Sequence, residues 1–188
     1  MKSNSLFLAL AMAGGLFSSL SQAETIVGTT KLQAIFTSEI LPGTCDARVT
    51  QAGAETDTVN FGDLFKGEVG TRTEPFNIEL TGCTGVKTTT VAAQPGSGTS
   101  CSGDAYSTTG DTNTAVEIWG NAADTGTKLS CIAGDTSPVL TNTFANRAVG
   151  QNYTYPMVAR WVVANGKTAT DIKSGEAQSL ITFLVTYQ

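Results

Sequence analysis

Short runs rich in Val, Ile, Thr, Phe and Tyr recur along the chain between clusters of Gly, Asn, Asp and Pro. No window holds a 3.6-residue apolar period over three turns, so the pattern predicts strands rather than helices. Extended runs are expected at Thr30–Leu41, closed by the turn Pro42-Gly43, and at Val59–Leu64, Pro75–Leu80, Ala115–Trp119 and Val139–Phe144. Tyr155–Ala164 and Ser179–Tyr187 are the strongest. Residues 84–114 are a Thr/Gly/Ser tract around Cys101, read as a long surface excursion. Six or more short strands separated by turn signals make an all-β sandwich. Neither an internal repeat nor a linker marks a domain boundary.

Two stretches carry more apolar surface than their positions explain. In the last strand Ile181, Phe183, Val185 and Tyr187 alternate onto one face, with Thr182 and Thr186 on the other and Leu184 breaking the alternation. Chain ends are usually polar and frayed, so this face is expected to be buried against something. Near the start, Ile26, Gly28, Thr30, Leu32, Ala34 and Phe36 share a face, making an extended segment able to pair with a sheet edge. On periodicity alone, the plainer reading is that both are ordinary strands of one closed sandwich.

The first residues read as an address. Lys2 precedes the apolar run Leu6–Phe17, and Ser21-Gln22-Ala23 supplies small residues before a cut between Ala23 and Glu24. This is the pattern of a secretory signal peptide. The run is shorter than the roughly 20 apolar residues that span a bilayer, and no later stretch qualifies, so no membrane insertion is expected. The chain has no histidine, 11 basic and 16 acidic residues, and a net charge of −5. The missing histidine excludes Ser-His-Asp, Cys-His and His-ligated metal chemistry. The acidic balance, which loss of Lys2 makes one unit more negative, argues against nucleic-acid binding. An exported chain folds under oxidising conditions, so Cys45, Cys83, Cys101 and Cys131 are expected to form two structural disulfides. Three pairings are possible, and the sequential one would constrain the unfolded chain by roughly 3.5–4 kcal/mol per bridge. A zinc site lacks both a CxxC pair and a histidine.

Four segments, taken in order, carry a resemblance: Phe36–Cys45; Val59-Asn-Phe-Gly62 with Pro75–Cys83; Ala115–Trp119; and Pro156–Trp161 followed by Phe183–Gln188. In the last, Tyr187 is penultimate and Gly175 stands fourteenth from Gln188. Together they resemble the subunits of bacterial chaperone–usher fimbriae, the type 1 pilin family. The resemblance implies an incomplete immunoglobulin-like β-sandwich of six strands, lacking the seventh, with residues 1–23 as signal, 24–36 as N-terminal extension and 37–188 as pilin domain. It implies that Ile181, Phe183, Val185 and Tyr187, between Gly175 and Gln188, edge an apolar groove and meet a periplasmic chaperone. It further implies that residues 24 to about 34, through Ile26, Gly28, Thr30, Leu32 and Ala34, are given as a donor strand to a neighbouring subunit at the outer-membrane usher. Cys45–Cys83 would be the family disulfide. Such a fibre subunit, exported to the periplasm and displayed on the cell surface, needs no cofactor. The second cysteine pair and the region 84–131 depart from the family pattern.

Two other classes of function have partial support in the chain. An adhesive or lectin-like module could stack sugars on Tyr106, Trp119 or Trp161, but a dedicated adhesin is expected to carry a receptor domain before the pilin domain. For an enzyme, Gly166-Lys167-Thr168 lacks the first glycine of a phosphate loop and Gly96-Ser-Gly98 ends its motif at Cys101. The acidic pairs Glu55/Asp57 and Asp104/Asp111 read as solvated loop charges, and Asn152-Tyr-Thr154, a glycosylation-type sequon, as a strand entry.

Overall fold

A computed structural model describes residues 35, 37, 38, 42–131 and 138–188; the fold below is that of the body from residue 42 onward. After Pro42-Gly43 the chain enters β1 (Thr44–Gln51), turns through Ala52-Gly53, both at positive φ, and returns as the two-residue β2 (Ala54–Glu55). Two successive left-handed residues give a hairpin turn whose twist matches its strands. Then follow β3 (Thr73–Thr84), β4 (Thr88–Pro95), β5 (Cys101–Ser102), β6 (Ala105–Ser107), β7 (Thr114–Gly120), β8 (Thr127–Lys128), β9 (Leu140–Thr143), β10 (Val149–Val163) and β11 (Ile181–Tyr187).

These strands form two antiparallel sheets. The front sheet runs β2-β1-β3-β10-β7-β6-β5, with β8 paired to β7, and the back sheet runs β11-β4-β9. Alternation sends Phe76, Ile78 and Leu80 of β3, Val116 and Ile118 of β7, and Tyr155, Met157 and Ala159 of β10 inward to meet Val91 and Ala93 of β4. One polar staple crosses this core. The Tyr155 hydroxyl donates to the Thr89 carbonyl at 2.9 Å and accepts from Thr89 Oγ1 at 2.6 Å, so a buried phenol joins the two sheets without an unpaired group.

The structure corrects two expectations and adds a strand that the sequence pattern does not show. Val59–Leu64 is not a strand: its carbonyls at Phe61 and Asp63 are taken by the Arg72 guanidinium, and Gly62 turns the chain at φ 60°. The tract from residue 84 is not a surface excursion at its start, because β4 is the central strand of the back sheet. Its inward Thr89, Val91 and Ala93 are buried. The added strand is β1, which lies wholly after the turn Pro42-Gly43. The run Thr30–Leu41 itself falls outside the described residues, apart from residues 35, 37 and 38.

Disulfides join Cys45 to Cys83, tying β1 to β3, and Cys101 to Cys131, tying β5 to the chain beyond β8. The second bridge closes 30 residues beside Tyr106, which is fully buried and donates its hydroxyl to the Leu129 carbonyl at 2.9 Å. Replacing Cys101 and Cys131 together by alanine is expected to cost about 3–4 kcal/mol on the loop-entropy model. Urea denaturation of the oxidised proteins measures it.

A candidate strand-accepting groove

Two sheet edges are left incomplete on the same side of the sandwich. Among the described residues β11 pairs with β4 alone, over Ile181–Tyr187 against Thr89–Pro95, and no described strand lies along its other flank. β1 pairs along its length with β3, but on its outer side β2 covers only Thr50 and Gln51. Between these edges lies a cavity of about 180 Å³ lined by Ala47, Arg48, Val49, Ile78, Phe183 and Val185. Its floor belongs to the core: Ile78 is buried, and Phe183 packs on Phe76 with ring centroids 5.8 Å apart.

The alternation in β11 falls as expected, with Ile181, Phe183 and Val185 turned to the core side and Thr182, Leu184 and Thr186 to solvent. None of the three inward residues is fully buried, although their counterparts Val91 and Ala93 on β4 are. The contrast has a simple cause: no strand among the described residues covers one flank of β11. Tyr187 is exposed near the end of the strand. Gln188 holds that end in place, exchanging backbone hydrogen bonds with Thr88 (2.9 and 3.0 Å) and accepting one from Lys87 N–H (2.6 Å). Gly175 lies ahead of β11 at φ 155°, a Cβ there would stand 3.6 Å from Thr112 Cγ2, and it does not line the cavity. Ala23, Glu24, Ile26, Gly28, Thr30, Leu32 and Ala34 lie outside the described residues.

Sequence reasoning missed the opposite wall. Ala47 and Val49 are too few and too small to stand out in β1, and only the pairing of β1 with β3 brings them to the groove. Arg48 sits at the rim with its charge already engaged: Nε and Nη2 donate to Glu79 Oε2 at 3.0 and 2.8 Å, and Thr50 Oγ1 donates to Oε1 at 3.0 Å. Those hydrogen bonds, Arg48's first, hold the Glu79 carboxyl below the usual carboxylate range.

The outer face of the front sheet carries a second charged group. Glu117 accepts from Lys128 Nζ (2.5 Å), Arg160 Nη2 (2.7 Å) and Nε (3.0 Å), and Trp119 Nε1 (3.2 Å). Burial pushes its carboxyl up, but these donors outweigh burial and leave it below 4.5. A lowered folded-state value adds stability above the unfolded value near 4.5. That contribution is lost as pH falls through the folded value. Glu117→Gln is therefore expected to be less stable at pH 7 by about 2 kcal/mol, with the gap closing in denaturant titrations as pH falls from the unfolded value through the lower folded one.

Of the aromatic residues considered for sugar stacking, Tyr106 is a core residue with no accessible surface. Trp119 lies between cations, Lys128 at 5.4 Å and Arg160 at 5.7 Å, and Trp161 packs edge-on against Phe61 at 6.0 Å. Asp104 and Asp111 do not form a pair; each is bound by its own lysine, Lys128 and Lys173. Among the described residues no group of three His, Cys, Asp or Glu could hold a metal ion.

No family model matches the chain. It is 30% identical over 194 residues to the uncharacterized fimbrial-like protein YadL of Escherichia coli strain K12, covering 95% of this chain and 92% of that one. Among solved structures it is similar to the P pilus rod subunit PapA, at 19% identity and a TM-score of 0.51, over 77% of this chain and 99% of that one. It is also similar to a chain from a chaperone–usher pilus, at 18% identity and a TM-score of 0.53, over 86% and 98%. Those two likenesses establish a shared fold, and the first relative, matched nearly end to end, establishes kinship. The chain belongs to the fimbrial-like proteins.

Proposed function

We propose that this chain is a structural fibre subunit whose groove between β1 and β11 is completed by an extended segment from another chain. The observation that carries the reading is a pair of facing edges, unpaired among the described residues, over an apolar floor. A strand laid there would hydrogen-bond to both edges and cover Val49, Phe183 and Val185, joining the two sheets into one closed layer. The donor is residues 24 to about 34 of a neighbouring subunit, presenting Ile26, Gly28, Thr30, Leu32 and Ala34 after cleavage between Ala23 and Glu24. Before assembly a periplasmic chaperone lends a strand to the same edge, meeting β11 through Ile181, Phe183, Val185 and Tyr187, and the outer-membrane usher is where one strand replaces the other. The polymer is then displayed on the cell surface, where it supports adhesion. Nothing in this mechanism needs catalysis or a cofactor.

A gel of the mature chain, run unboiled with and without residues 24–34, tests the reading. A detergent-resistant ladder that disappears on truncation supports it. Stable monomers in both lanes would mean that the sandwich is already closed, and the polymerising role would be abandoned.

A further inference from the structure

The loop that leaves β10 brings together two groups that the fold does not engage. Ala164–Lys167 is a β-turn, closed by the Lys167 N–H donating to the Ala164 carbonyl at 3.0 Å. Gly166 fills its third position at φ 74°, a conformation that glycine adopts without strain. Ahead of it Asn165 is exposed, and its backbone N–H donates to Ser102 Oγ at 2.8 Å, tying the turn to the β5–β6 hairpin. The Asn165 side chain lies over Gly103 of that hairpin, with Cγ 3.2 Å from where a Cβ would stand. Neither the Asn165 side-chain amide nor the Gly166 N–H makes a hydrogen bond among the described residues. A Cβ on Gly166 would meet nothing within 4 Å, so the backbone there is open to water. Other exposed asparagines differ on both counts. Asn60 Oδ1 accepts from the Gly62 N–H at 2.7 Å, Asn113 Nδ2 donates to the Asp171 carbonyl at 2.8 Å, and Asn152 Oδ1 accepts from the Gly82 N–H at 3.0 Å. In the whole chain, Asn165 alone precedes a glycine.

We propose that Asn165 is a site of spontaneous deamidation, with Ser102 as the tether that limits its rate. The Gly166 nitrogen gives up its proton to hydroxide or water and attacks Asn165 Cγ. A bond forms between the two atoms, the Cγ–Nδ2 bond breaks, and the side-chain nitrogen leaves as ammonia, taking its third proton from water. Water then opens the five-membered imide at one of its two carbonyls. Opening at Cγ restores the ordinary backbone with an aspartate at this position. Opening at the main-chain carbonyl routes the backbone through Cγ and leaves an isoaspartate. Nothing is oxidised or reduced, and water is the sole co-reactant. Glycine suits the attacking position because it brings no Cβ to crowd the ring and gives the turn freedom to open. That opening must break the hydrogen bonds that hold the turn, to Ala164 and to Ser102. Removing one neutral hydrogen bond shifts such an equilibrium by about 2–10-fold. Either product adds one negative charge to a chain already at −5. Isoaspartate also lengthens the backbone by one carbon, which draws the N–H away from Ser102 and frees the β5–β6 hairpin from the end of β10. The chemistry belongs to the single chain and does not depend on fibre assembly.

The mature, oxidised protein is held at physiological pH and temperature for weeks, and its peptides are mapped by mass spectrometry, with electron-transfer fragmentation to separate aspartate from isoaspartate. The expected result is a gain of one mass unit that accumulates at Asn165 about tenfold faster than at any other asparagine, in both product forms. Gly166→Ala should slow the gain about tenfold, and Ser102→Ala should speed it by about 2–10-fold. Alanine at φ 74° is strained, so Asn165→Gln serves as the variant that leaves the backbone untouched. Its imide would need a six-membered ring, and the gain should disappear from this peptide. Melting curves of all variants check that the fold persists. An Asn165 that survives the incubation unmodified, or another asparagine that converts faster, would overturn the proposal. A folded Gly166→Ala that converts at the wild-type rate would overturn it as well, and a Ser102→Ala rate equal to wild type would remove the tether.

Discussion

A chain shortened to residues 37–188 is expected to gain about 5 kcal/mol of stability when a peptide of residues 24–36 saturates it. Ile26 and Leu32 supply about 1.5–3 kcal/mol each if fully buried in the groove. Thr30 and Ala34 add less. Backbone hydrogen bonds along both edges, at about 0.5–1.5 kcal/mol each, are largely offset by the entropy of ordering the peptide. For a domain of this size each kcal/mol raises Tm by about 2–4 °C, so the melting temperature should rise by about 10–20 °C. By mass action the same gain corresponds to free peptide at roughly 5,000 times its Kd. Scanning calorimetry with increasing peptide measures it, and a melting temperature indifferent to peptide would sink the idea.

The second large effect is at Phe183. Its ring rests on Phe76 at 5.8 Å and lines the open cavity, so Phe183→Asp places a carboxylate on the floor of the groove. In the free chain that carboxylate keeps its water, and the cost is limited to the lost ring contact, about 1–2 kcal/mol. An incoming strand would strip the water away, and no counter-ion is available, because the nearby Arg48 guanidinium is committed to Glu79. Burying an unpaired charge is far costlier than losing apolar contact. Peptide affinity is expected to fall at least 100-fold, about 2.7 kcal/mol, while Phe183→Leu stays within tenfold. Isothermal titration separates the two, and wild-type affinity in Phe183→Asp would show that the peptide sits elsewhere.

How much of this was legible in the sequence depended on what each strand had to bury. Strands β7, β10 and β11 announce themselves because large β-branched and aromatic residues alternate over five or more positions. β4 does not, although it is the central strand of its sheet: threonine and alanine fill both its faces, so burial leaves no contrast between them. β1 is nearly silent for a different reason. Its inward residues Ala47 and Val49 face a gap rather than a packed core, so nothing demands large side chains there. Val59–Leu64 misled in the opposite direction, because its apolar residues cap the end of the sandwich while an arginine replaces the strand partner. The groove was legible as a half: the apolar rhythm of β11 pointed to an edge needing cover, whereas the wall supplied by β1 emerges only from pairing with β3.

The central claim, that an extended segment seats between β1 and β11, is tested most directly by amide hydrogen exchange on the 37–188 chain with and without the 24–36 peptide. The amides of Ile181–Tyr187 and Thr44–Val49 that point away from β4 and β3 have no strand partner among the described residues. They should exchange rapidly in the free chain and at least 100-fold more slowly once the peptide is bound, on both edges together, while amides of β9 change little. Protection appearing elsewhere, or on neither edge, would contradict the account.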